Sequence, residues 1–473
     1  MNTDLKKILI KNFQFEPTAG QAQLVDQLVL FMNDSSKRKL FVLRGYAGTG
    51  KTTFTNTIIR SLPEINFKSV LLAPTGRAAK VLANYTGREA STIHRKIYRM
   101  AHDKTGRAIT SLKENKHTNT LFIVDEASMI GNAETDSESL FSQGKLLDDL
   151  FEFVYSGKNC YMMFIGDTAQ LPPVKLILSP ALDTSYLGFE YNMVVYTHEL
   201  KDVVRQQKDS GILLNATALR ILISRSEQFP VLKAAGFDDV QCLNGNEIME
   251  ELSAKFNTKP ADDSIMICRS NKQANRYNQH IRNVILDQPD ELSAGDQLMV
   301  LKNNYFWLDE DSEAGFIANG DVIQVKSVLN IEEQYGFRFA DARVKLVDYP
   351  DEPELDVKLI LDTLYTETPA LSSADSRKLW DEVLAGYEKH KSIKTRMEKV
   401  RGNEFFNALQ VKFSYAVTCH KAQGGQWKNV FIDQGFMTDE SYTTEHLRWL
   451  YTAVSRATEM LYYVNFEERF FRK

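Results

Sequence analysis

The stretch GYAGTGKT, Gly45 to Thr52, has the G-x-x-x-x-G-K-[ST] spacing of a loop that wraps phosphate oxygens. Its glycines free backbone N–H groups to close around an anion, and a helix beginning there adds a favourable dipole. Lys51 would reach the β/γ-phosphates of a nucleoside triphosphate, and Thr52 would ligate Mg2+. Downstream, LFIVDEAS ends an apolar run in Asp125 and Glu126. One carboxylate can hold the metal shell while its neighbour polarises an attacking water, as ATP hydrolysis requires. A lone Asp-Glu pair is a weak sign, but after a phosphate loop it is a strong one. In FIGDTAQLPPV, Phe164 to Val174, Gln170 follows another apolar run. An amide there can sense a γ-phosphate, and the rigid Leu-Pro-Pro can carry its position outward; by composition alone the stretch is equally a tight turn.

These residues need strands to hold them. KLFVLRG, SVLLAPT, NTLFIVDE and CYMMFIGD are short apolar runs, each closed by a polar or glycine-rich turn and separated by helical patterns. Such runs, buried on both faces, predict a parallel α/β sheet with its chemistry at the C-terminal strand ends. A second set follows: DSIMICRS, the helical NKQANRYNQHIRNVI, then KFSYAVTCH, KNVFIDQG and MLYYVNF, with the helical TTEHLRWLYTAVSRA before the last. Its middle is split by an insertion in which GDVIQVKSVLN, RFADARVKLVDY and DVKLILDTL predict a small barrel. From Ser373 to Arg401, Leu379, Val383, Tyr387, Ile393, Met397 and Val400 have amphipathic helical spacing, interrupted near Gly386. Its Lys and Arg residues also suit a plain solvated face.

Within the first unit, Ile97 to Lys116 predicts a hairpin turning at DKTG. From Arg95 to Lys116 seven Lys and Arg stand against Asp103 and Glu114. A basic hairpin could split a duplex; an ordinary surface loop fits as well.

Composition narrows the field without deciding it. The 473 residues are 43% hydrophobic and 25% charged, ordinary for a globular chain of several domains. A net charge of −5 argues against a histone-like binder but leaves room for a local basic track. Cys160, Cys242, Cys268 and Cys419 form no C-x-x-C pair, which predicts a reducing compartment and no zinc site. No signal-peptide or membrane-spanning run is visible, so a cytoplasmic location is expected.

Taken in order, GYAGTGKTT, LLAPTGRAAKVL, STIHR, FIVDEASMI, GDTAQLPPV, LKDVVRQ, TCHKAQG and LYTAVSRA resemble the superfamily 1 helicases, in their RecD/Dda-like branch. The likeness covers nearly the whole chain; superfamily 2 relatives would end in a Q-x-x-G-R-x-G-R type motif, which YTAVSRA is not. It implies two RecA-like P-loop lobes with a small SH3-like β-barrel and helical arm inserted in the second. The implied boundaries are 1–198 for the first lobe, with the hairpin at about 96–117, then 199–299 and 411–473 for the second, and 300–410 for the insertion. Carried over position by position, Gln21 would read the adenine edge. Gly45, Ala47, Gly48, Thr49, Gly50, Lys51, Thr52 and Thr53 would hold the phosphates, with Gly424 facing them. Arg205 and Arg456 would reach the γ-phosphate from the second lobe. Two lobes can sense one nucleotide only if the second brings charge to phosphates bound by the first.

Pro74, Thr75, Thr92 and His94 in the first lobe, and Thr418 and His420 in the second, resemble strand-binding positions. Without the motifs, both histidines read equally well as structural.

The implied activity is an ATP- and Mg2+-dependent DNA helicase moving 5′ to 3′ on single-stranded DNA, acting at single-strand/duplex junctions in repair or recombination. A monomer is expected, with a single-strand-binding or replication/repair protein as the kind of partner implied. Two rivals remain: a translocase that strips proteins while unwinding poorly, and a non-catalytic recruitment subunit. RNA stays open as a strand, because backbone contacts alone discriminate poorly. The acidic stretch Gly131 to Lys145 looks like an added loop.

Overall fold

The computed structural model describes residues 2–102, 108–131, 146–202, 210–225, 229–257, 263–308, 312, 314–390 and 392–471. Strands β1 (Lys39–Gly45), β2 (Lys68–Ala73) and β3 (Ala90–Thr92) are followed by a hairpin of β4 (Tyr98–His102) and β5 (Ala108–Leu112). Then come β6 (Thr118–Val124), β7 (Lys158–Gly166) and β8 (Val194–Leu200). All but the hairpin join one parallel sheet in the order β3-β2-β6-β7-β1-β8.

Alternation inside the continuous apolar runs covers both faces of this sheet. Leu40 and Val42 pack with Phe122, Val124, Met162 and Phe164, whereas Phe41 and Leu43 pack with Leu121, Ile123, Met163 and Ile165. All are fully buried, worth about 1.5–3 kcal/mol apiece by transfer from water. The phosphate loop, Asp125 and Asp167 follow β1, β6 and β7, three adjacent strands, so the sheet order alone gathers them at one edge.

The second lobe begins with β9 (Val240–Leu243) and β10 (Ser264–Cys268). A closed barrel of β11 (Gln297–Val300), β12 (Val322–Gln334), β13 (Phe337–Leu346), β14 (Leu355–Ile360) and β15 (Leu409–Phe413) interrupts it. With β16 (Ala416–Thr418), β17 (Trp427–Asp433) and β18 (Ala457–Val464), the lobe completes a parallel sheet in the order β16-β10-β17-β18-β9.

Several strand ends fall away from the expected boundaries. β8 pairs with β1 as far as Gly45↔Leu200, so Glu199 and Leu200 sit in the first sheet and not in the second lobe. The barrel takes in residues on both sides of 300–410, because β11 starts at Gln297 and β15 ends at Phe413. KFSYAVTCH is therefore not one strand. Ser414 N donates to Gln297 O of the barrel, whereas Tyr415 O accepts from Met266 N of β10, and the chain changes sheet between them.

The arm forms two helices, Ser373–Ala385 and Ile393–Arg401. Leu379, Val383 and Val400 pack on Phe337, Phe339 and Ile360 of the barrel. Ile393, expected on the same apolar face, is 59% exposed, because the break between the helices resets the helical phase. In the hairpin, β4 and β5 pair from Tyr98↔Leu112 to His102↔Ala108. Its tip at 103–107 and most of the acidic stretch, 132–145, lie outside the described residues. Among the described residues no helix is long and apolar enough to cross a membrane.

Candidate active site in the cleft between the lobes

Gly48 and Gly50 hold φ values of 73° and 87°, a left-handed conformation that side-chain-bearing residues resist, and so the loop after β1 curls back over its own backbone. Gly50 begins the Lys51–Ser61 helix without any side-chain cap, leaving first-turn N–H groups to an incoming anion. Lys51 Nζ donates to Gly45 O at 2.6 Å and Tyr46 O at 2.9 Å, which parks the ammonium at the loop mouth. Thr49 Oγ1 ties to Tyr46 O at 2.8 Å.

Facing the loop, Asp125 is half-buried just after β6, and its Oδ1 accepts Glu126 N at 2.9 Å. Burial, reinforced by the Glu126 charge, pushes its carboxyl up to about 6. Glu126 sits at φ 51°, a strained position for a side-chain-bearing residue, held where a cleft acid is wanted. Asp167, at the end of β7, is buried and its carboxyl is also raised. Gln170 is nearly fully buried, and its Oε1 finds no hydrogen-bond partner. An orphaned carbonyl near the buried Asp167 is expensive unless a ligand completes it.

A cavity of about 570 Å3 collects these groups. The phosphate loop, Gln21, Asp125, Glu126 and Gln170 line it from the first lobe, and Gly424 and Arg456 from the second. Arg456 is 3% exposed; it donates to Thr452 O, Gly425 O and Ser455 Oγ, and its Nη1 lies 3.9 Å from Glu126 Oε1. At Gly424, φ is 75° and an added Cβ would stand 2.8 Å from the Ala78 side chain, so the lobes touch there through glycine. Gln21 has a structural task as well: with Thr18 it forms a capping box for the Ala19–Asn33 helix, its Oε1 accepting Thr18 N at 3.0 Å. Arg205 lies outside the described residues.

The strand-binding candidates divide between the lobes. Thr75 and Thr92 cap helices: their hydroxyls accept Ala78 N and Arg95 N, each at 3.2 Å. Pro74 directly precedes Thr75 at the end of β2. His94 packs against Tyr98 and against Phe316 of the barrel. Burial lowers its pKa to about 4, so it is neutral there and offers phosphate no charge. Thr418 starts a short helix without a side-chain cap bond. It shares a second cavity, of about 230 Å3, with His420, Lys412, Lys421 and Val174 of the Gln170 loop.

Two family descriptions match in chain order: an AAA domain over residues 16–236 and a UvrD-like helicase C-terminal domain over 413–464. The ATP-dependent DNA helicase dda of Enterobacteria phage T4 is 26% identical over 454 residues, 90% of this chain and 95% of that one. Together these matches support a superfamily 1 helicase of the RecD/Dda-like branch. The ATP-dependent RecD2 DNA helicase of Deinococcus radiodurans is 35% identical over 154 residues, 33% of this helicase, which spans only 18% of that protein. The crystal structure of Pif1 helicase from Bacteroides in complex with ADP-AlF3 and ssDNA aligns with a TM-score of 0.45 at 16% identity, covering 97% of this helicase and 95% of that chain.

Several residues of this helicase's cleft stand outside the candidates that its motifs single out. Asp167 stands inside GDTAQ, a carboxylate directly after an apolar strand like Asp125, and that position was the available signal. Tyr451 and Thr452 stand inside LYTAVSRA and Gln423 inside TCHKAQG, but their types name no role, because they matter through contacts between segments hundreds of residues apart.

Proposed function

We propose that this helicase hydrolyses ATP, with Mg2+, to travel 5′ to 3′ along single-stranded DNA and to open the duplex it meets. The observation that carries the reading is the shared cleft: Lys51, Asp125 and Glu126 from one lobe and Gly424 and Arg456 from the other line a single cavity in the size class of small-molecule sites. Lys51 moves from Gly45 O and Tyr46 O onto the phosphates. Thr52 and Asp125 would hold the metal, whose charge would offset the cost of a carboxylate that its surroundings disfavour. Oxygens of the nucleotide and water would complete its coordination. When bound, Mg2+ would neutralise charge on the phosphates.

Glu126 takes a proton from the attacking water, and the unpaired Gln170 carbonyl is satisfied as the site fills. Arg456, joined by Arg205, stabilises charge developing on the γ-phosphate once the cleft closes. Closure and reopening alternate the grip of Pro74, Thr75, Thr92 and His94 with that of Thr418 and His420, which turns the ATP cycle into steps along the strand. The partner is single-stranded DNA and its junction with duplex. ATP turnover measured alone and with single-stranded DNA, single-stranded RNA or duplex tests the reading; no stimulation by single-stranded DNA would reject it.

A further inference from the structure

Tyr451 lies on the Thr444–Val454 helix of the second lobe and is fully buried. Its hydroxyl accepts a hydrogen bond from Ala47 N at 2.9 Å and donates one to Asp167 Oδ2 at 2.5 Å. Both partners belong to the first lobe, one in the phosphate loop and one at the end of β7. A phenol suits the place because one oxygen both accepts and donates, leaving neither buried group unpaired. Burial raises the phenol well above its ordinary value, so it remains a donor.

Neighbouring contacts continue the seam. Thr452 Oγ1 accepts Leu171 N at 2.9 Å, and Gln423 Nε2 donates to Leu171 O at 2.7 Å. Beyond the same helix stands Arg456, whose Nε is held at 3.1 Å by Thr452 O, the residue next to Tyr451. The end of one helix thus carries both a clamp on the phosphate loop and the guanidinium meant for the phosphate.

We infer that Tyr451 is a positioning residue for ATP hydrolysis: by holding Ala47 N and Asp167 it sets the last helical turn against the phosphate loop, and through that turn the place of Arg456. The inference rests on the ATPase reading above. No element of the first lobe other than the loop and the β7 end is needed for it, since both hydrogen bonds are made there.

ATP turnover with saturating single-stranded DNA, separated into kcat and KM, is to be measured for the wild type, Tyr451→Phe, Arg456→Ala and the double variant, with melting temperatures alongside. Tyr451→Phe is expected to lower kcat about ten-fold or more with KM changed less than about three-fold, and to lower it no further where Arg456 is already alanine. Equal fractional losses in both backgrounds, or an unchanged kcat in folded Tyr451→Phe, would overturn the inference. A phenol that only stabilised the fold would move the melting temperature and not kcat. If Tyr451→Phe does not fold, 3,5-difluorotyrosine at position 451 keeps the ring and hydroxyl while weakening the oxygen as an acceptor. An intermediate kcat is then expected, and a wild-type value would overturn the proposal. A wild type without ATP turnover would instead reject the ATPase reading itself.

Discussion

Arg456 Nη1 stands 3.9 Å from Glu126 Oε1, and the hydrogen bonds that hold the guanidinium, to Gly425 O, Thr452 O and Ser455 Oγ, all fall within its own lobe. The arginine is therefore held beside the cleft acid at a distance too long for a firm ion pair; in the proposed mechanism, closure of the cleft brings it onto a phosphate.

Arg456→Ala should lower ATP turnover on the order of 10³-fold or more, as loss of an arginine finger does, while nucleotide binding falls less. Arg205→Ala is expected to behave alike. Steady-state turnover beside equilibrium binding of a non-hydrolysable ATP analogue checks this; near-normal turnover in both variants would mean that the lobes do not communicate through the arginines.

Lys51→Ala removes the ammonium parked on Gly45 O and Tyr46 O. Turnover should drop about 10²–10³-fold, the scale for losing one charge-stabilising donor, with single-strand affinity largely kept. Fluorescence anisotropy with a labelled oligonucleotide decides it, since equal loss of both functions in a folded variant would contradict separate phosphate and strand surfaces.

Asp125 should cost stability in return for function. Its carboxyl is raised from 3.8 to about 6, so in the absence of nucleotide and metal the folded state binds the proton more tightly than the unfolded chain. The penalty is full above about pH 6 and fades as the pH falls toward 3.8. Asp125→Asn is expected to be more stable than wild type at pH 7.5, by at most roughly 3 kcal/mol, and to lose turnover. Melting curves in EDTA at pH 7.5 and 5 should show the advantage shrinking at the lower pH.

His94 has the opposite sign. Its pKa falls from 6.5 to about 4, so its contribution is complete above pH 6.5 and is lost as the pH drops toward 4. His94→Phe keeps an aromatic ring against Tyr98 and Phe316 and should remove that acid-side loss, up to roughly 3 kcal/mol by pH 4. Strand affinity should change little between pH 6 and 8 in wild type and variant alike; a clear rise on acidification that disappears in the variant would show that His94 carries charge to phosphate.

A duplex with a 5′ single-stranded tail should be opened in ATP and Mg2+, and one with only a 3′ tail should not. Deleting Asp103 to Arg107 at the hairpin turn should impair unwinding more than strand-stimulated hydrolysis. Gel-based strand displacement and turnover assays on the same preparations separate the two effects, and preferential opening of the 3′-tailed duplex would reverse the proposed direction.

The parts of this architecture that were legible in sequence are those with a local signature. Phosphate-loop glycines, acids after apolar runs, and the β1, β6 and β7 runs announce themselves through backbone needs and period, and the structure brings Lys51, Asp125 and Glu126 to one cavity. β9 was not legible, because VQCL is short and gains its place only by pairing with β18. The division of KFSYAVTCH was hidden for a similar reason: two adjacent residues bond to strands of different sheets, and nothing in their side chains says so. In sequence His94 suits strand contact and a structural place alike, because its neighbour Phe316 stands more than two hundred residues away.

Placing the barrel between β10 and β16 has a consequence for how the chain is made. In the second sheet β10 lies between β16 and β17, and β9 touches β18 alone; the two early strands do not pair with each other. During synthesis the first sheet has all its strands once β8 has emerged, and the barrel is complete at β15. The SIMIC segment of β10, buried along its whole length in the finished sheet, then still lacks both neighbours on a growing chain. Only the final stretch, from Ala416 onward, supplies them. Ribosome-stalled or carboxy-truncated chains would therefore display two folded bodies joined to a pair of uncovered apolar strands, an invitation to chaperones and to aggregation alike.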